Sequence, residues 1–213
     1  TLAPLVAGTT VHSLGYADDT GTMSDSEEGI RTKHEWVRQF FGAHAFRLNV
    51  KKTTFLSSRA TVNTSPLCSV NGQCVVLPKP ESYATRYLGV MVAMNLDWKA
   101  EMKRLERMVW RLQNNIRSKG IPFAPAVDAI STSLIPKMEA GLALVPLTPC
   151  NRKAMARWDR ILRTAVLKGQ GGLRAHGVCV AGFQTVTGII GFEMMAEITR
   201  KTDLFTRLCS REH

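Results

Sequence analysis

No apolar run in this chain approaches the roughly 20 residues that a membrane-spanning helix needs. The longest, residues 140–147, is short and ends among prolines. Cysteine is sparse: Cys68, Cys74, Cys150, Cys179 and Cys209 are odd in number and scattered, with no CxxC pair and no zinc-type spacing to histidine. That argues against a disulfide framework or a structural zinc site. It suggests reduced, mostly buried thiols and an intracellular protein, nuclear or cytoplasmic. No signal peptide opens the chain, which begins at Thr1 and not at methionine, as expected of a piece of something longer. No internal repeat or low-complexity tract is visible. Acid is also short: 17 Asp and Glu against 28 Lys and Arg leave +11, with a pI near 9.8. Such an excess favours a polyanionic partner, nucleic acid first and an acidic membrane surface second.

What is present is enough for folding. The chain has 213 residues and a hydrophobic share of 45%, which excludes disorder and collagen-like repeats and suffices for one large domain or two small ones. Residues 11–24 read as two short strands around a turn at Ala17-Asp18-Asp19. A helix is expected over residues 25–45, capped by Ser24 or Ser26, with Glu27 and Glu28 suited to its positive end. Ile30, Trp36, Val37, Phe40 and Phe41 recur near helical period and are expected to face the core. Residues 46–56 suggest a strand interrupted by a basic cluster. Asn71-Gly72, between residues 67–70 and 73–77, is a strong hairpin signal, and residues 87–92 suggest one more strand.

The pattern changes at Asn95. Residues 96–118 read as a long amphipathic helix with Trp98, Met102, Leu105, Val109, Leu112 and Ile116 on one face. Lys99, Lys103, Arg104, Arg107 and Arg111 mark the other. A second basic helix is expected over residues 151–168 and apolar helices over residues 180–208. Breaks fall near Pro136, at residues 146–149 and at residues 169–172. The reading is α+β to residue 94 and all-helical beyond.

Tyr16-Ala17-Asp18-Asp19 carries the chemistry. Two adjacent carboxylates on a tight turn can hold magnesium, a hard ion that prefers oxygen ligands, although aspartate is also common in turns for its backbone hydrogen bonds. Further segments follow in order. Phe46-Arg47-Leu48-Asn49-Val50-Lys51-Lys52-Thr53 looks like a palm motif that follows a helix, and Tyr87-Leu88-Gly89-Val90 looks like a primer grip. With the Asn71-Gly72 hairpin and the Leu96-Asp97-Trp98 helix start, this ordered set resembles the reverse transcriptases of non-LTR (LINE-type) retrotransposons over residues 11 to about 150. The resemblance implies a partial polymerase palm of antiparallel strands with a packed helix (1–94), a helical thumb (95–150) and a C-terminal helical extension (151–213).

It also implies roles. Asp18 is expected as a metal ligand supported by Asp19, holding Mg2+ or Mn2+ in the full-length enzyme. Tyr16 would lie near the primer terminus, and Lys52 near the incoming deoxynucleotide triphosphate, helping pyrophosphate leave; Lys51 and Lys52 can also be read as a solvated pair. Asn49 is expected to shape its turn. Tyr87, Leu88 and Gly89 would let backbone approach the primer, or Gly89 is an ordinary strand glycine. Lys103, Arg107 and Arg111 would contact the backbone of an RNA template and DNA primer, or form a solvated face.

Two departures from the family stand out. Ala45 occupies a position where the family often has glycine. Residues 1–17 contain no Asp or Glu, so the family's upstream carboxylate has no counterpart here. Two functions follow: a fragment of an RNA-directed DNA polymerase, inactive when isolated, or a retroelement-derived remnant serving as a nucleic-acid-binding or protein-interaction module.

Overall fold

The computed structural model describes residues 5–6, 9–10, 13–16, 19–46, 49, 52–57, 67–68, 74–76, 78–168 and 189–209. The chain is α+β. It divides into two compact units, one of residues 1–88 and 92–97, the other of residues 89–91 and 98–213.

The first unit is built from short paired strands and one helix. β1 (Leu5–Val6) and β2 (Thr9–Thr10) pair antiparallel; the sequence pattern gave no sign of them. β3 (Ser13–Tyr16) and β4 (Asp19–Thr22) form the expected hairpin, in a register that sets Tyr16 opposite Asp19. Asp19 therefore belongs to the second strand and not to the turn; Ala17 and Asp18 lie outside the described residues.

α1 (Glu27–Ala43) starts at Ser26, whose hydroxyl accepts the Gly29 N–H at 3.1 Å, with Glu27 and Glu28 in the first turn. Its core face differs from expectation. Gly29 and Lys33 are buried, and the Lys33 ammonium donates to the Met23 carbonyl at 2.5 Å. Trp36 and Phe40 lie on the same stripe, yet are 56% and 60% exposed. Length explains this. β4, at four residues, spans about 13 Å, whereas the 17 residues of α1 span about 25 Å, so the later turns run past the strand they pack on.

The end of α1 is a Schellman motif. The Phe46 N–H donates to the Phe41 carbonyl at 2.8 Å and the Ala45 N–H to the Gly42 carbonyl at 3.1 Å. The Phe41 and Phe46 rings meet edge to face, 6.2 Å between centroids. Ala45 sits at φ +58°, the left-handed position such an ending reserves for glycine.

Beyond it the strand expected over residues 46–56 reduces, among the described residues, to β5 (Phe55–Leu56), which pairs in parallel with β8 (Pro78–Lys79). β6 (Leu67–Cys68) and β7 (Cys74–Val76) pair antiparallel as expected; Asn71 and Gly72 lie outside the described residues. The single strand expected over residues 87–92 is instead two paired strands, β9 (Thr85–Tyr87) and β10 (Val90–Val92), joined by a tight turn.

The second unit is helical beyond β10: α2 (Lys99–Ser118), α3 (Phe123–Ala129), a π-helical stretch (Ile130–Leu134), α4 (Ile135–Leu144), α5 (Pro149–Lys168) and α6 (Phe192–Cys209). The break expected at Pro136 is not a loop. Proline has no N–H and crowds the preceding turn, and the chain absorbs it by widening to a π turn, in which the Ile135 N–H donates five residues back to Ile130. Thr148 caps α5, its hydroxyl accepting the Asn151 N–H at 3.3 Å, and Pro149 takes the first helical position, where no N–H is missed.

Leu105, Val109 and Ile116 of α2 share one core with Met138 and Leu142 of α4, Met155, Trp158 and Leu162 of α5, and Phe192 of α6. Helices on both sides of residue 150 thus bury the same interior. Trp158 is 1% exposed and meets Phe192 edge to face; each such side chain contributes about 1.5–3 kcal/mol by leaving water. Among the described residues no helix is long and apolar enough to cross a membrane. The thiols are expected to be mostly buried; Cys150, in the first turn of α5, is free and exposed.

Ala45→Gly should stabilise the chain by about 1 kcal/mol, because glycine meets no Cβ penalty at positive φ. Urea unfolding checks this; an unchanged or lowered midpoint would contradict the assigned helix ending.

Candidate functional site

The residues singled out from sequence divide between the two units. Tyr16, Asp19, Lys52, Tyr87 and Leu88 belong to the first; Gly89, Lys103, Arg107 and Arg111 belong to the second.

In the first unit Asp19 and Lys52 are both exposed. The Asn49 carbonyl accepts the N–H groups of Lys52 and Thr53 at 3.0 and 2.9 Å and the Thr53 hydroxyl at 3.0 Å, while the Asn49 side chain accepts the Lys52 N–H at 3.3 Å. Asn49 therefore shapes the turn that presents Lys52. The structure also brings β4 close to Tyr87: a Cβ placed on Gly21 would stand 3.3 Å from the Tyr87 hydroxyl. Among the described residues no group of three or more His, Cys, Asp or Glu is placed to hold a metal ion. Asp18 lies outside them.

The β9–β10 turn is unusual. Leu88 has φ +46° and Gly89 φ +86°, the sign pattern of a type I′ turn. Leucine rarely adopts that region, and Leu88 is 45% exposed. Gly89 is not an ordinary strand glycine. Nothing lies within 4 Å of a Cβ placed on it, so φ, and not space, sets its identity.

In the second unit Lys103, Arg107 and Arg111 are exposed on α2, together with Lys99 and Arg117. Arg104, expected on that face, is turned away from it. Its guanidinium forks onto Glu101, with Nε donating to Oε2 at 2.7 Å and a terminal nitrogen to Oε1 at 2.6 Å. The Glu101 side chain is fully buried and also accepts the Met91 N–H of β10 at 2.8 Å. A Cβ on Gly141 of α4 would overlap its carboxylate.

Three more acids of this unit are paired. Glu106 pairs with Arg157 of α5, and Glu193 and Glu197 of α6 pair with Arg152. The charge is therefore uneven. Residues 98–213 hold 19 Lys and Arg against 9 Asp and Glu, a balance of +10 out of the chain's +11.

A cleft of about 310 Å³ lies beside the start of α6, between Ile130, Leu162, Ile190 and Phe192. Asp159 of α5 reaches it and accepts the Phe192 N–H at 3.2 and 3.3 Å, capping α6 from another helix. Burial raises the Asp159 carboxyl to about 6, against the opposing pull of the Phe192 N–H and the Arg163 charge; the Glu193 charge adds to the rise.

The chain matches no family model, no curated protein and no solved structure.

Sequence reasoning missed Glu101, Asp159 and the Leu88 turn. Glu101 left a faint signal, an acid three residues before an arginine within an otherwise basic helix. Asp159 left none, since its partner is 33 residues away.

The Asp159 carboxyl has a folded value above its ordinary one, so its contribution to stability is full below about pH 4 and is lost as pH rises through about 6. Asp159→Asn keeps an oxygen for the Phe192 N–H and carries no charge. It should melt higher than wild type at pH 7.5, by at most roughly 3 kcal/mol, and converge with it at pH 4. Parallel melting curves across that range would contradict the burial assigned to this carboxyl.

Proposed function

We propose that this chain is a palm-and-thumb portion of an RNA-directed DNA polymerase of a retroelement, and that its helical unit holds the backbone of a template–primer duplex. The observation that carries the reading is the segregation of charge: +10 of the net +11 lies in the helical unit. There α2 exposes Lys99, Lys103, Arg107, Arg111 and Arg117, while its two glutamates are buried or paired. Such a face neutralises phosphates without reading bases.

The acidic hairpin supports the polymerase assignment through the Tyr16–Asp19 register and the contact of β4 with Tyr87. In a longer protein supplying a further carboxylate, Asp18 and Asp19 would hold Mg2+ or Mn2+. Lys52 would lie near the incoming triphosphate. Tyr16, Tyr87, Leu88 and Gly89 would lie along the primer.

The second reading, a remnant that binds without catalysis, rests on the same basic face and asks nothing of the hairpin. Both readings keep the binding face. They differ only in the chemistry at the hairpin.

Binding to a labelled RNA–DNA hybrid, followed by fluorescence anisotropy, should be in the micromolar range, tolerant of sequence, and weaker as salt rises, with a log–log slope of about −0.9 per phosphate contact. Changing Lys103, Arg107 and Arg111 together to Glu should weaken binding to all sequences alike and flatten that slope, with little change in thermal stability, since the three are exposed. Unchanged binding in the triple variant would move the interface elsewhere. Absent binding in wild type at about 50 mM salt, where phosphate contacts are strong, would overturn the proposal.

The isolated chain should not extend a primed RNA template with either metal. Clear deoxynucleotide incorporation that Asp18→Ala abolishes would show that it carries a complete site.

A further inference from the structure

We propose that Trp110 is a stacking platform within the basic face of α2, and that it gives this face a preference for nucleic-acid strands with unpaired bases. This rests on the reading of that face as a phosphate-binding surface and adds a contact of a different physical kind.

The geometry points there first. Leu105, Val109, Gln113 and Ile116 set the buried side of α2. Trp110 sits on the opposite side, 42% exposed. On a helix, residues three and four apart are neighbours, which places Trp110 between Arg107 and Asn114 in a row that starts at Lys103 and ends at Arg117. At 1.5 Å per residue that row is about 21 Å long, room for roughly six nucleotide steps of 3.4 Å. Glu106, one turn before Trp110, is tied up by Arg157. The row therefore presents cations and one indole, with no free carboxylate among its described neighbours.

Trp98 of the same segment packs against the core, whereas Trp110 keeps 42% of its surface open to solvent. Among the described residues no cation covers its ring and no aromatic stacks on it. An aromatic face left open among cations suits one ligand chemistry well: a polyanion that carries flat rings. Phosphates meet Lys103, Arg107 and Arg117 by charge, and a base meets Trp110 by stacking. In a blunt duplex the base faces are hidden except at the ends. A ring fixed on a helix surface can then stack only where a base is unpaired.

The test separates the two contacts by their salt response, using the full chain. Anisotropy titrations at several salt concentrations compare a labelled single-stranded RNA with a blunt RNA–DNA hybrid of equal length. Trp110→Ala should weaken single-strand binding roughly 5- to 150-fold, the range for one base on an aromatic, with the salt slope unchanged. Hybrid binding should barely move, and Trp110→Phe should retain most of the single-strand affinity. Single-strand binding equal to wild type in Trp110→Ala, beside a wild type that binds, would overturn the stacking role and leave the phosphate face standing. Equal weakening on both ligands would place the indole on the sugar–phosphate backbone and overturn the preference. Wild type that binds neither ligand would overturn the phosphate face itself, and the stacking proposal with it.

Discussion

A carboxylate taken wholly out of water loses several kcal/mol of hydration unless its oxygens are met by charge and hydrogen bonds. Glu101 is in that position, and three elements are arranged around the need. Arg104, one turn later on α2, supplies the forked charge. Met91 of β10 supplies a backbone N–H. Gly141 of α4 supplies room, since any side chain there would overlap the carboxylate. Removing one partner would leave a buried charge unmet, so these contacts fix the rotation of α2 about its own axis. With Glu101, Leu105 and Val109 held inward, Lys103, Arg107, Trp110 and Arg111 have only the outside to occupy. The basic face is thus a consequence of one internal ion pair as much as of the apolar seam.

The same pair explains why Arg104 was misplaced by sequence. Periodicity assigns a residue to a side of a helix by its average neighbours, and Arg104 stands close to Lys103 and Arg107. Its true partner is a glutamate that a hydrophobicity pattern counts as polar and therefore external. Where the pattern depends on local chemistry alone it was legible: the Ser26 cap, Leu105, Val109 and Ile116 on the buried side of α2, the β3–β4 hairpin and the β6–β7 pair. Where it depends on what lies opposite it was not. Trp36 and Phe40 hold the right phase for a core face, but phase says nothing about how far the covering strand reaches. Leu88 gave no turn signal, because leucine is a poor guide to a positive φ. The candidate site was legible only in part. Lys103, Arg107 and Arg111 stand on the surface as expected, whereas Asp18 lies outside the described residues.

Net charge is a property of the whole chain until a fold distributes it. Of the nine acids in the helical unit, Glu101 is internal, Glu106, Glu193 and Glu197 are paired, and Asp159 caps a neighbouring helix. Each pair also takes up an arginine, Arg104, Arg152 or Arg157, so pairing leaves the surplus of the unit where the sequence count puts it and does not enlarge it. The first unit, with nine basic and eight acidic residues, has almost no surplus. Long-range attraction for a polyanion therefore resides in the helices, and the acidic hairpin belongs to the near-neutral part.

That separation bears on how function can persist or be lost. A two-metal centre needs several carboxylates within a few ångströms of one another, and removal of one ligand abolishes it. A phosphate-binding face has no such threshold, because each cation adds its own share and the loss of one leaves the rest. The proposed binding by the helical unit would accordingly be the more robust property of the two, and it would not require the hairpin to be competent. A polymerase fragment and a binding remnant share it equally. What distinguishes them is confined to Asp18, Asp19 and the carboxylate that a complete centre would set beside them.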